Sequence, residues 1–160
     1  MALNRIGDWE RVGNLVANIN KEMVAARDLS LKRFGLKVEA VAKGHMSSQD
    51  LGWTPLKPLT VARKLSKGQS EDILIATSTY FQSITSWVDG DSVMAGVKKA
   101  AYSDDGKTEL ADIAAVHEFG SKSGKLPARP LWTPTFEEVI AWHLKNNRPQ
   151  DLFLQAIRRY

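Results

Sequence analysis

The chain reads as an α+β protein built around one core. Three observations predict this class. An apolar stripe at helical spacing runs through the first quarter of the sequence. An Asp-Gly pair separates two short runs rich in β-branched and aromatic residues near 83–98. Thr-Pro and Arg-Pro steps then divide the C-terminal part into further helical patterns. The 160 residues suit a single domain over 1–160, with 1–46 as a helical N-terminal region.

The first helix is read over 8 to about 28. Trp9, Val12, Val16, Ile19, Met23 and Ala26 recur at intervals of 3, 4, 3, 4 and 3, one apolar face of a helix. Asp8 is its N-cap. Leu31, Phe34, Val38 and Val41 continue the spacing in a new phase. One bent helix with a kink at Gly35, or two consecutive helices, would both satisfy it, and Gly44 is a fitting stop.

The segment "HMSSQDLGWTPLKP" is polar and carries glycine and two prolines, so it reads as a loop. A short helix follows over Thr60–Lys67, with Thr60 as its cap and Gly68 as its end. Ile73, Leu74 and Ile75 form a run too short for periodicity to assign to strand or helix. Asp89-Gly90 is a strong hairpin signal, with Trp87 and Val88 before it and Val93 to Val97 returning. Residues 102–109 are acidic and glycine-containing, and read with 120–126 as exposed loops that move and order on docking. "LADIAAVHEF" is a helix closed by Gly120. Thr133 caps the next helix, with Pro134 at its first position, Glu137 and Glu138 in the first turn, and Phe136, Val139, Ile140 and Leu144 facing inward. A last helix runs over 150–158.

Composition limits what the chain can do. Hydrophobic content of 43% and charged content of 25% are those of a folded globular protein. No cysteine is present, which excludes disulfides and thiolate metal sites and fits a reducing compartment. No apolar run approaches the roughly 18 residues of a membrane helix. The N-terminus lacks the apolar stretch of a signal peptide, so a soluble cytosolic product is expected. The net charge of +4 is scattered rather than gathered on one element, which favours a solvated basic surface over a dedicated nucleic-acid module. A basic nucleic-acid-binding module remains the alternative function.

Motifs of chemistry fail on spacing. "HEFGS" has Ser121 where a zinc-protease helix needs its second histidine. "GSKSGKL" is one residue short of a phosphate loop and runs into Pro127. "GSKSG" has Lys122 where an esterase elbow needs serine. No catalytic residue, cofactor site or metal site is assigned, and an enzyme is not expected. Trp9, Trp87 and Trp142 fall at apolar positions and read as core, as does Phe119. Trp53 and Trp132 lie in Pro-containing segments outside any stripe, where large aromatics anchor interfaces.

Taken in order, "GWTPLKPLTVARK", "ILIATSTYFQSI", the Trp-Val hairpin, "AAVHEFG" and "LPARPLWTP" form a series. It resembles the phage virion-morphogenesis family, the tail-completion or tail-to-head joining proteins related to minor tail protein Z. The resemblance covers roughly 50–145, the family-like core. Thr77-Ser78 stands where that family usually has Thr-Gly, Tyr80-Phe81 where leucine or arginine is common, and Leu131 where phenylalanine usually follows Arg-Pro. The "SDDGKTELAD" insertion is longer than in compact members.

The resemblance implies a structural protein of the virion neck, assembled in the host cytoplasm. It would act in tail completion or head-to-tail joining as a homo-oligomeric ring, a hexamer or a dodecamer. Neighbouring neck or tail proteins would be its partners, DNA would pass through the lumen without specific binding, and no membrane would be involved. The residues expected at the partner interface are Trp53, Pro55, Glu118, Pro127, Arg129, Pro130 and Trp132. Pro127 and Pro130 stiffen an extended segment in which Arg129 is free to pair with a carboxylate, and Glu118 is the candidate partner, within the chain or across a subunit boundary.

Overall fold

The computed structural model describes residues 7–98, 100–104 and 106–158. Its element order is α1 (Trp9–Ser48), α2 (Pro58–Ser66), α3 (Thr79–Ser83), β1 (Ile84–Asp89), β2 (Ser92–Val97), α4 (Leu110–Phe119), α5 (Trp132–Asn146) and α6 (Pro149–Ile157). The class is α+β, with a long N-terminal helix, one antiparallel hairpin and C-terminal helices.

The two phases of the N-terminal pattern belong to one helix. Asp8 caps it, its side chain accepting the Arg11 amide at 3.0 Å. Gly35 is neither a break nor a spacer. A Cβ there would lie 2.7 Å from Ser86 Oγ, 2.9 Å from Ser86 Cβ and 3.0 Å from Val93, so glycine lets the hairpin lie directly on the helix. Ser86 then donates to Glu39 at 2.5 Å, and Arg27 binds Asp91 at the hairpin tip. Gly44 does not stop α1, because the next turn buries Met46 completely. The helix ends one turn later at Gln49, left-handed at φ 55, whose amide N–H donates to the His45 carbonyl.

The strands pair from Ile84↔Val97 to Asp89↔Ser92, leaving Gly90 and Asp91 as the turn. Gly90 takes the first central position at φ 56, where glycine is needed. Ile73–Ile75 is neither strand nor helix, since side chains satisfy its backbone. The Gln49 amide group bonds both N–H and C=O of Ile73 at 3.0 Å, and the Lys64 ammonium donates to the carbonyls of Asp72 at 2.5 Å and Ile75 at 2.8 Å. Such long-range side-chain ties are invisible to periodicity.

Helix α2 begins at Pro58 rather than at Thr60, with proline in the first turn where no donor is lost. The described residues of the loop over 102–109 are mostly exposed, and it closes through a Tyr102↔Glu109 bridge and a Ser103–Thr108 backbone bond of 2.8 Å.

The core has two parts. One gathers Ala42, Met46, Trp53, Tyr80, Ile84 and Leu131; the other gathers Val38, Val41 and Val139. Trp132 packs against both and joins them. On α5, Val139 and Phe136 face inward, but Ile140 and Leu144 point outward, because the helix presents only one side to α1. Phe119 and Trp87, expected in the core, are exposed, Phe119 at 81%. Trp9 is exposed too, together with the rest of its stripe as far as Met23.

The close contact at Gly35 gives a paired test. Gly35→Ala should destabilise the fold by about 1–3 kcal/mol through overpacking. Gly44→Ala, with nothing within 4 Å of the new methyl, should stabilise it by about 0.5–1 kcal/mol. Urea unfolding of both variants beside the parent measures the contrast.

Candidate functional site: a proline clamp tied by one carboxylate

The segment from His117 to Thr133 leaves the end of α4, crosses a glycine-rich loop and enters α5. It is fixed at several points along its length. Gly120 ends α4 at φ 78, and a side chain there would press on Ala128 N and Leu126 O, each at 3.2 Å. The loop closes on itself, with Ser121 N–H donating to Leu126 O at 3.0 Å and Leu126 N–H to Ser121 Oγ at 2.9 Å. Past the loop, Arg129 N–H donates to the His117 carbonyl at 2.6 Å, which draws the returning strand of chain back onto α4.

Glu118 closes the clamp. One carboxylate oxygen accepts the amides of Leu131 at 2.8 Å and Trp132 at 2.9 Å; the other accepts the Thr133 amide at 2.9 Å and its hydroxyl at 2.6 Å. These amides are the unsatisfied donors that open α5, where the helix dipole favours negative charge. The next residue is Pro134, which has no N–H to leave unpaired. The expected Thr133 cap is thereby replaced. Leu131 is the N-cap residue, no side chain of its own turn caps the helix, and the acid comes from α4 rather than from Glu137 and Glu138. Burial pushes the Glu118 carboxyl up. The Thr133 hydroxyl and the amides of Trp132, Thr133 and Leu131 more than offset this, and its pKa lies below the ordinary value.

Arg129 does not pair with Glu118. Its side chain is buried and its Nε donates to the Thr54 carbonyl at 3.1 Å. Trp53 is buried beside it and donates from Nε1 to the Pro130 carbonyl at 2.8 Å. Three of the residues expected at a partner surface, Trp53, Glu118 and Arg129, therefore lie inside the chain. Trp53 Nε1 and Arg129 Nε donate to backbone carbonyls, Glu118 accepts backbone amides, and the Trp53 ring fills the larger core cluster. Pro55, Pro127 and Pro130 remain exposed, and Trp132 is half-buried between the two core clusters. The outer face of the clamp also carries exposed Leu126 and Phe119, the latter expected in the core as a large aromatic. Phe119 follows Glu118 at the last position of α4, so the turn that points the acid into α5 points the ring outward.

The other polar groups nearby are held in single states. Tyr80 is buried against the clamp. Burial pushes its phenol up to about 12, the nearby Trp132 side chain opposing the shift and the Glu118 charge adding to it. His117 is lowered by burial and then by the neighbouring Arg129 charge, so its imidazole is neutral at pH 7. It lines a pocket of about 280 Å³ with Tyr80, Ile113 and Leu74. Its Nδ1 is buried without a protein hydrogen-bond partner. His45 bonds Asp50 at 2.8 Å and lies 3.6 Å from Glu138, and His143 meets the Phe34 ring edge-on at 5.3 Å. The three histidines thus occupy separate places. Among the described residues no group of three or more histidine or carboxylate side chains is placed to hold a metal ion, and no helix is long and apolar enough to cross a membrane.

The Glu118 contacts set a pH test. A carboxyl with a lowered folded pKa contributes stability that is complete above the unfolded glutamate value, about 4.3, and is lost as pH falls through the folded one. Glu118→Gln keeps the shape but turns an NH₂ toward amide donors, and should cost about 2–4 kcal/mol at pH 7. Urea titrations from pH 7 down to 3 should show a shallower acid loss in the variant than in the parent.

No family model matches this chain, and no curated protein and no solved structure matches it.

Proposed function

We propose that this chain is a structural protein of a phage virion neck, acting in tail completion or head-to-tail joining as a homo-oligomeric ring. The observation that carries the reading is the clamp. Its extended Pro-Ala-Arg-Pro segment is fixed from inside by Trp53, Arg129 and Glu118, while its outer side presents Phe119, Leu126, Pro127 and Pro130 to solvent. A surface already rigid before contact gives up little conformational entropy on docking, which suits a shape read by another protein.

Two further observations support the reading. The ordered motifs of residues 50–145 meet in one region: Trp53, Tyr80 and Leu131 share a core cluster, and Glu118 ties α4 to α5 beside them. Ser78, where the resembled family usually has glycine, is left-handed at φ 68, a conformation glycine adopts freely. In this reading the ring encloses the DNA path without sequence-specific contacts, neighbouring neck or tail proteins are its partners, and the chain takes its place in the virion after assembly in the host cytoplasm.

The experiment is assembly in the phage whose genome encodes the chain. Particles made without the polypeptide should be uninfectious, with separated heads and tails, and supplying the purified protein should restore joining. Phe119→Ala should leave thermal stability nearly unchanged, within about 0.5 kcal/mol for an exposed side chain, yet lower the restored infectivity at least tenfold. Normal virions that lack the chain would overturn the reading.

A further inference from the structure

Helix α1 is too long for the body it serves. Forty residues make a rod of about 60 Å, whereas a 160-residue globule has a radius of gyration of about 15 Å and is roughly 40 Å across. The overhang is the N-terminal part. Trp9, Val12, Val16, Ile19 and Met23 form its seam, and each is 42–66% exposed. The nine residues Val12–Asn20 carry no charge. Solvated helix surfaces carry charges, and a narrow seam spaced 3 and 4 is that of a helix packed along another helix.

The same line of the helix changes character at Ala26. Ala26 and Ser30 continue the seam and are buried, and Ser30 exchanges hydrogen bonds with Asn147 at the α5–α6 joint, 2.7 Å from its hydroxyl and 2.8 Å to its carbonyl. The body therefore lies on the very face that is bare further up. A partner helix on the bare face must avoid that body. Two copies running parallel would bring both bodies into one space. Two copies running antiparallel send each body past the other's N-terminus.

We propose that the N-terminal halves of α1 from two copies pair antiparallel, seam to seam, as a two-fold dimer. The register sets Val16 against Ile19 of the second copy, Val12 against Met23 and Trp9 level with Ala26. Three features of the chain select a second copy as the occupant. First, charges are compatible: the uncharged residues 15–20 of one copy lie level with the same residues of the other, so no like charges meet at the centre of the seam. Second, size complements: the largest seam residue, Trp9, comes level with Ala26, where the other copy's own fold covers the seam and the indole must turn aside. Third, a receptacle exists there. A pocket of about 450 Å³ lies where α6 meets α1, lined by Met23, Val24, Arg27, Pro149 and Phe153. An indole seated in it gains an apolar wall from Met23, Val24, Pro149 and Phe153. A stable interface takes about 800 Å² from each partner, and a tryptophan that fills a pocket on each side supplies the central anchors such an interface uses. A two-fold contact does not close a ring, so this pairing is separate from the neck reading, and either can fail alone.

The absence of cysteine makes the test clean. The full-length chain should have a dimer mass by light scattering at about 50 μM. Val16→Glu should halve that mass while its circular dichroism stays that of a folded protein and its melting no longer depends on concentration, and Trp9→Ala should raise the dissociation constant at least tenfold. Orientation is read by disulfide capture under mild oxidation. Val12→Cys mixed with Met23→Cys should form the mixed dimer in preference to either self-linked dimer. A monomeric parent, a Val16→Glu variant of unchanged mass, or efficient self-linking of Val12→Cys would each overturn the proposal.

Discussion

One buried carboxylate organises the C-terminal half of this protein. A helix that starts inside a structure must find acceptors for its first amides, and α5 starts against the core with a proline in its opening turn. Glu118 supplies both oxygens from a neighbouring helix and takes three amides and a hydroxyl. The arrangement is strongly directional, because the oxygens of a carboxylate reach three successive amides only where the chain curls into the first turn of a helix. Fixing that curl fixes Leu131 and Trp132, and these fill and bridge the two parts of the core. A change at one acid thus reaches packing well beyond its own hydrogen bonds.

The intervening loop is governed by the same constraint. Once α4 and α5 are pinned together, the connection between them must turn back within a few residues. Gly120 allows the sharp exit, Ser121 closes the loop on Leu126, and the Arg129 amide returns to the His117 carbonyl. The side chains that look most reactive in sequence are drawn into this scaffold. Arg129 and Trp53 each hold a carbonyl, His117 and Tyr80 are buried near them, and burial keeps His117 neutral at pH 7. What remains outside is Phe119, Leu126, Pro127 and Pro130, together with Lys122 and Lys125 of the loop.

The apolar side chains of α1 divide in the same spirit. From Ala26 onward one face is covered by the hairpin, α5 and α6, and Gly35 brings the hairpin to van der Waals range. Before Ala26 the identical pattern faces water. Hydrophobic periodicity reports that a face is meant for burial; it carries no information on whether the cover comes from the same chain. The solvent-facing seam, the outward Phe119 and the outward Ile140 and Leu144 of α5 mark a molecule with more apolar surface than its own core can take in.

The sequence by itself determined the local elements: the helical stripe of α1 and its Asp8 cap, the hairpin around Gly90, the α4 helix closed by Gly120, and the proline-stiffened passage into α5. These depend on contacts within a few residues, and period, caps and turn residues record them directly. Only the tertiary structure decided the rest. It carried α1 past Gly44 because Met46 has a core to enter, left Ile73–Ile75 irregular because Gln49 and Lys64 satisfy its backbone, and moved Trp53, Glu118 and Arg129 from the surface to the interior. Each of those outcomes rests on partners between 11 and 77 positions apart in the chain. No local pattern encodes such a partner, since a carboxylate or a guanidinium looks the same in sequence whether it meets water, another subunit or the first turn of a helix in its own fold.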